Sequence, residues 1–166
     1  MDTQPWLAVT NGQALRFFFE HLRDVSELDD APESEVLYNA SVLAHFATTS
    51  TASLEFPGTP TSLAAVFNLY VLDRSQHTDP AIMEAAGSQC LLLTGFFGAQ
   101  CADRHNVDWY GTLGAGFYGQ AARHNSDHTR AAMMRTMAAR FAFWRRQQAR
   151  LAKELHDLPR LLKLAG

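Results

Sequence analysis

The sequence predicts an all-α fold, a single-domain bundle of about six helices with a central, buried, glycine-rich helical hairpin. Three observations carry that prediction. Apolar residues recur at three- and four-residue spacing through most of the chain. Helix-start signals such as Asp79-Pro80 recur between those stretches. Valine and isoleucine are scarce, and no segment alternates apolar and polar residues over six positions, so strand signals are nearly absent.

The first helix is expected over 10–27. Thr10 and Gln13 form the T-x-x-Q pattern of a capping box, and Leu15, Phe18, Phe19, Leu22 and Val25 give one apolar face. Asp29 to Pro32 end it. The second helix is expected over 32–49: proline needs no hydrogen-bond partner in a first turn, and Glu33 and Glu35 suit the positive end of the dipole. Val36, Ala40, Leu43 and Ala47 form its stripe. The Thr-, Ser-, Pro- and Gly-rich stretch 48–60 reads as a loop whose Leu54 and Phe56 tuck under neighbouring helices. A third helix is expected from Pro60 to about Arg74, with Leu63, Val66, Phe67 and Tyr70 on one face.

Asp79 as a cap and Pro80 in the first turn start a fourth helix, expected over 80–104. It is apolar nearly all round, with Ile82, Ala86, Cys90, Leu93 and Phe97 on one face, which marks a buried helix. The fifth is expected over 107–124. Asn125-Ser126-Asp127 then forms a turn ending in a cap. A long basic last helix is expected over 128–156, with Pro159 ending or kinking it and 157–166 as a tail. Its apolar stripe is Met133, Met134, Met137, Phe141, Trp144, Leu151 and Leu155.

Gly87, Gly95 and Gly98 fall inside the fourth helix, and Gly111, Gly114, Gly116 and Gly119 inside the fifth. Each costs about 1 kcal/mol against alanine, so something must offset the sum. The expected offset is a close crossing of the two helices. Gly111, Ala115 and Gly119 at i, i+4, i+8 would form one groove, and Gly87 and Gly98, three turns apart, another. The rival reading is that the glycines make room for a flat ligand against bare backbone.

Gly87-Ser88-Gln89-Cys90-Leu91-Leu92-Leu93-Thr94-Gly95-Phe96-Phe97, then Val107-Asp108-Trp109-Tyr110, then Gly114-Ala115-Gly116-Phe117-Tyr118, resemble the pattern of an uncharacterised bacterial all-helical family. The likeness spans about 36–123 and leaves out the basic last helix. Ser88, Trp109 and Phe117 depart from the family's residues at those positions. The resemblance implies a helical fold and no activity, so it assigns no functional residue.

Composition narrows the function classes. The chain has 166 residues, 47% of them hydrophobic and 19% charged, which suits one globular domain and excludes a disordered chain. Two cysteines are too few for a disulfide framework. No apolar run approaches the roughly 20 residues that span a bilayer, and Met1-Asp2-Thr3-Gln4 lacks a signal-peptide start, so a cytoplasmic protein without a membrane partner is expected. The net charge is −3, yet it is unevenly spread: four basic against fourteen acidic residues up to Trp109, ten against three beyond it. The halves could attract each other, or the second could carry an anion-binding face.

No catalytic motif is present. There is no phosphate loop, no dinucleotide fingerprint after a strand, no Gly-x-Ser-x-Gly elbow, no Glu-x-x-His and no His-Glu-x-x-His. His124 and His128, with Asp127 between them, are the best local metal pair, but the turn puts them on different helices, so no metal and no cofactor are assigned. Cys90 and Cys101 lie eleven apart on one helix, too far to pair, and read as core thiols. Two functional readings remain. The leading one is a non-enzymatic interaction or regulatory module that self-associates, using the Met- and Trp-rich stripe as a seam or the basic face of Arg135, Arg146, Arg150 and Lys153 against an acidic protein. Nucleic acid is disfavoured by the acidic total and the lack of a recognition motif. The alternative is a small-molecule binder or enzyme with an aromatic pocket at Phe97, Asp108, Trp109, Tyr110 and Tyr118, beside Gly95 and Gly98.

Overall fold

The computed structural model describes residues 11–52, 75, 77–102 and 106–165. Among them every regular element is helical and none is a strand. In chain order these are α1 (Asn11–Ser26), a 3₁₀ turn (Glu27–Asp29), α2 (Glu33–Ala52), α3 (Pro80–Leu91), a π-helical turn (Leu92–Phe96), α4 (Gly98–Cys101), α5 (Val107–His124), α6 (His128–Ala139) and α7 (Phe141–Ala165). The expected third helix, Leu54, Phe56, Thr10 of the capping box and His105 lie outside the described residues.

The chain divides into two compact units, one holding α1, α2 and α7 from Arg150 onward, the other α3 to α6 and α7 up to Ala149. In the first, α1 packs along α2. Phe18, Leu22 and Val25 of the expected α1 face are buried, with Leu15 and Phe19 half-buried, and Val36, Ala40, Leu43 and Ala47 are buried on α2, which is the stripe that the residue spacing predicts there. The 3₁₀ turn closes through Asp30, whose φ of 55° is one of the left-handed values that a short polar side chain tolerates. Arg150 Nη1 donates to Asp29 Oδ2 at 2.8 Å. The helix α2 continues to Ala52, so 48–52 are helical where a loop was expected.

In the second unit the start signals at Asp79 and Asp127 behave as expected, and Asn106 is a third cap that the spacing does not mark. Asp79 accepts from the backbone N–H of Ala81 and Ile82, Asn106 from that of Trp109, and Asp127 from those of Thr129 and Arg130. Each satisfies a donor that the first turn leaves without a partner. Helices α3 and α5 form the expected buried hairpin, with Tyr110, Gly114, Phe117 and Ala121 inward on α5. Glycine permits their approach at two points. A Cβ on Gly114 would stand 2.6 Å from Cys90 Cβ and from Phe141 Cζ, and one on Gly87 would stand 2.9 Å from the buried Tyr118 ring. The Tyr118 hydroxyl lies 3.2 Å from Ser88 Oγ.

Three expectations about this unit are corrected. The groove on α5 is not Gly111, Ala115 and Gly119: a Cβ on Gly119 or Gly116 meets nothing within 4 Å. Spacing alone does not choose among small-residue faces; the large residues Tyr110, Phe117 and Tyr118 choose it by going inward. The fourth helix is not regular to 104. It widens over Leu92–Phe96, where Phe97 N–H donates to Leu92 C=O, five residues back, at 2.8 Å. The extra residue rotates the helix beyond it, so Gly98 does not share the packed face of Gly87, and Leu93 and Phe97 are only half-buried. The last helix is two helices, because Arg140 at φ −110°, ψ 21° breaks the run between Ala139 and Phe141. That bend lets Phe141 fill the space that Gly114 leaves. Beyond it α7 runs through Pro159 to Ala165, with no separate tail. Proline removes one ladder bond there, and the Leu and Lys around it are strong helix formers.

Candidate functional site

The wide turn after α3 creates the site. Where the chain leaves helical geometry at Phe97, φ −103° and ψ 18°, helix carbonyls lose their usual partners. The Thr94 carbonyl is met instead from α7: Arg145 Nε donates to it at 3.0 Å. Thr94's own hydroxyl donates to Cys90 C=O at 2.6 Å. Gly95 makes the approach of α7 feasible, since a Cβ there would lie 3.1 Å from the Arg145 carbonyl and 3.3 Å from its Cα. The Arg145 guanidinium then runs over Gly111, whose Cβ would be 3.0 Å from Nη1, and donates from Nη1 to Asp108 Oδ1 at 3.0 Å.

Beside this arginine lies an open cleft of about 580 Å³, lined by Thr94, Gly95, Gly98, Ala99, Val107, Asp108, Ala142, Arg145, Arg146 and Ala149. That volume is in the range of sites for small organic molecules. Its floor is the wide turn and α4, one side is the first turn of α5, and the other is α7. Small side chains dominate, which leaves backbone accessible. Gly98 is glycine for no packing reason, because a Cβ there meets nothing within 4 Å. Three lining residues are charged: Arg145, Arg146 and Asp108. Arg146 is exposed and has no hydrogen-bond or ion-pair partner among the described residues. The cleft can hold an acidic group by charge-assisted hydrogen bonds from two guanidinium groups. Its described lining includes no thiol and no imidazole.

The residue types predict an aromatic pocket at five positions, and this cleft takes in one of them. Asp108 lines the cleft; Phe97, Trp109, Tyr110 and Tyr118 do not. Tyr110 and Tyr118 are in the α3–α5 core, Trp109 is 44% exposed with its ring edge-to-face on Tyr110, and Phe97 packs against Phe96. Flat polar-tipped rings suit a core seam as well as a pocket, so residue type does not separate the two. Gly95 and Gly98, expected beside the aromatic pocket, line this cleft. Of the basic face, Arg146 belongs to the cleft, Arg150 is paired with Asp29, and Arg135 and Lys153 are exposed on separate turns. Arg145, which no sequence motif marks, is the best-anchored cation of the site. Its signal is the absent side chains at Gly95 and Gly111, which make room for it.

His124 and His128 are exposed on successive helices, and no three metal-binding side chains cluster among the described residues. Burial pushes the Cys90 thiol up to about 12 from its ordinary 9.0, and raises that of half-buried Cys101 as well. Burial, and secondarily Cys90, raise the Tyr110 hydroxyl above 10.0. These groups are in their neutral forms near pH 7, as core residues should be. No helix among the described residues is long and apolar enough to cross a membrane. Compared with protein families, curated proteins and solved structures, the chain matches none of them. The resemblance drawn from the glycine-aromatic pattern therefore rests on those residues alone.

Proposed function

We propose that the chain is a binding module for a small anionic organic molecule, one bearing a carboxylate or phosphate, held in the cleft beside the wide turn. This is the small-molecule reading of the sequence, moved from the tyrosines to the arginines. The observation that carries it is a ligand-sized cleft whose charged lining is two arginines against one carboxylate, with a glycine at 98 that packing does not require. Burial of most of the Met- and Trp-rich stripe favours this reading over self-association through that stripe. Met134, Met137, Phe141, Trp144 and Leu151 are all buried within the chain itself.

The test is titration of ¹⁵N-labelled protein with citrate, AMP and uncharged adenosine. Citrate and AMP should shift the amide signals of Gly98, Ala99, Val107 and Ala142, and adenosine should not. Arg146→Ala should weaken the anions about fivefold, the effect of losing one exposed charge-assisted hydrogen bond. Shifts scattered over the surface, or none with either anion, would refute the reading.

A further inference from the structure

We infer that Asp108 is an internal stand-in for the ligand's acidic group, so that an incoming anion takes its place on Arg145. The inference rests on the anion-binding reading above and deepens it. Three features of the Arg145–Asp108 contact support it.

The first is the unequal anchoring of the two partners. Arg145 is fixed from two sides besides Asp108: Nε donates to the Thr94 carbonyl at 3.0 Å, and the guanidinium lies against Gly111. Its side chain is 22% exposed, whereas that of Asp108 is 90% exposed. The cation is a built part of the cleft. The carboxylate reaches it from solvent through a single bond, Nη1 to Oδ1 at 3.0 Å.

The second is the pairing geometry. A guanidinium offers five donors in a fixed fork and binds carboxylate or phosphate best through two parallel bonds. Asp108 uses one nitrogen only, and Nη2 has no acceptor among the described residues. A free carboxylate or phosphate is not tethered to α5 and can take the two-bond arrangement that Asp108 does not make. Ion pairs as exposed as this one contribute little, so giving it up costs the protein little.

The third is the surroundings. Asp108 and Arg146 line the same cleft, and Asp108 is its one acidic lining residue. A second anion beside Arg145 would meet Asp108 as a like charge unless the side chain swings away, and its exposure leaves it free to do so. The ligand and Asp108 are thus competitors for one site.

The consequence runs against the usual effect of removing a cleft residue. Asp108→Asn and Asp108→Ser should bind citrate more tightly than the unaltered chain, by about three- to tenfold, the range set by an exposed ion pair plus relief of a like charge. Isothermal titration calorimetry with citrate, on all three proteins at one fixed ionic strength, reads this directly. Far-UV circular dichroism establishes that both variants keep the helical fold, and two variants of different polarity guard against failure of either one. Equal or weaker citrate binding by both folded variants would overturn the inference and leave the anion-binding reading standing. Absence of citrate binding by all three would overturn both.

Discussion

Two glycines on one helix, two residues apart, should respond to alanine in opposite directions. Gly114 and Gly116 both lie inside α5, so each alanine gains about 1 kcal/mol of helix propensity. At Gly116 the new methyl meets nothing within 4 Å, so the gain stands alone. Gly116→Ala should raise stability by about 0.5–1 kcal/mol. At Gly114 the methyl would stand 2.6 Å from Cys90 Cβ and 2.6 Å from Phe141 Cζ. Carbon atoms rest at roughly 3.5–4.0 Å, so about 1 Å of separation must be found. The phenyl tip can tilt. The Cys90 Cβ is bonded to the α3 backbone, so relieving that contact moves a helix. Overpacking of this kind costs typically about 1–3 kcal/mol, which exceeds the propensity gain. The two variants should therefore differ by about 2 kcal/mol, or about 4–8 °C in Tm for a chain of this size. Urea denaturation followed by circular dichroism at one pH measures it. A Gly114→Ala protein as stable as Gly116→Ala would show that α3 and α5 do not approach closely, and the account of the hairpin would fall.

The buried thiol and the anchored arginine give two further expected outcomes. Cys90 keeps its proton in the folded chain up to about pH 12, while the unfolded chain releases it near 9.0. Above pH 9 the unfolded state thus binds fewer protons, and the Cys90 contribution to stability is lost as pH rises from 9 toward 12, at up to about 1.4 kcal/mol per pH unit. The stability difference between the unaltered chain and Cys90→Ala, taken from urea midpoints, should shrink between pH 8.5 and 10.5; a constant difference would contradict the burial of the thiol. Arg145→Ala removes the side-chain donor to the carbonyl of Thr94, itself 3% exposed, and should cost about 1–3 kcal/mol, whereas Arg130→Ala breaks the exposed pair with Glu84 and should cost under about 1 kcal/mol. Equal costs in a melting experiment would mean that Arg145 does not support the wide turn.

The helices are legible in the sequence because their signals are local. The caps at Asp79 and Asp127 and the stripe Val36–Ala40–Leu43–Ala47 each depend on residues a few positions apart. What the sequence does not show is phase. The π turn adds one residue to a helical revolution within an apolar run, Leu91-Leu92-Leu93-Thr94-Gly95-Phe96-Phe97, that carries no proline or charged break to announce it. The faces assigned on that same helix past Leu92 from regular winding, those of Phe97 and Gly98, are therefore rotated. Arg140 is similarly silent: an arginine is a good helix former, and only the fit of Phe141 beside Gly114 requires the bend. Arg145 leaves no local trace because its partners, Thr94 and Asp108, lie 51 and 37 positions away.

A turn with one residue too many also separates two things that a sequence usually binds together. Up to Leu91 this helix answers to the hairpin; at Gly98 and Ala99 it answers to the cleft wall. Were Leu92–Phe96 wound as ordinary helix, Gly98 and Ala99 would turn by about 100° away from the arginines, while the hairpin's caps and its Gly114 contact stayed in place. One residue's worth of winding thus divides a chain that merely folds from one that also carries an open cleft beside Arg145.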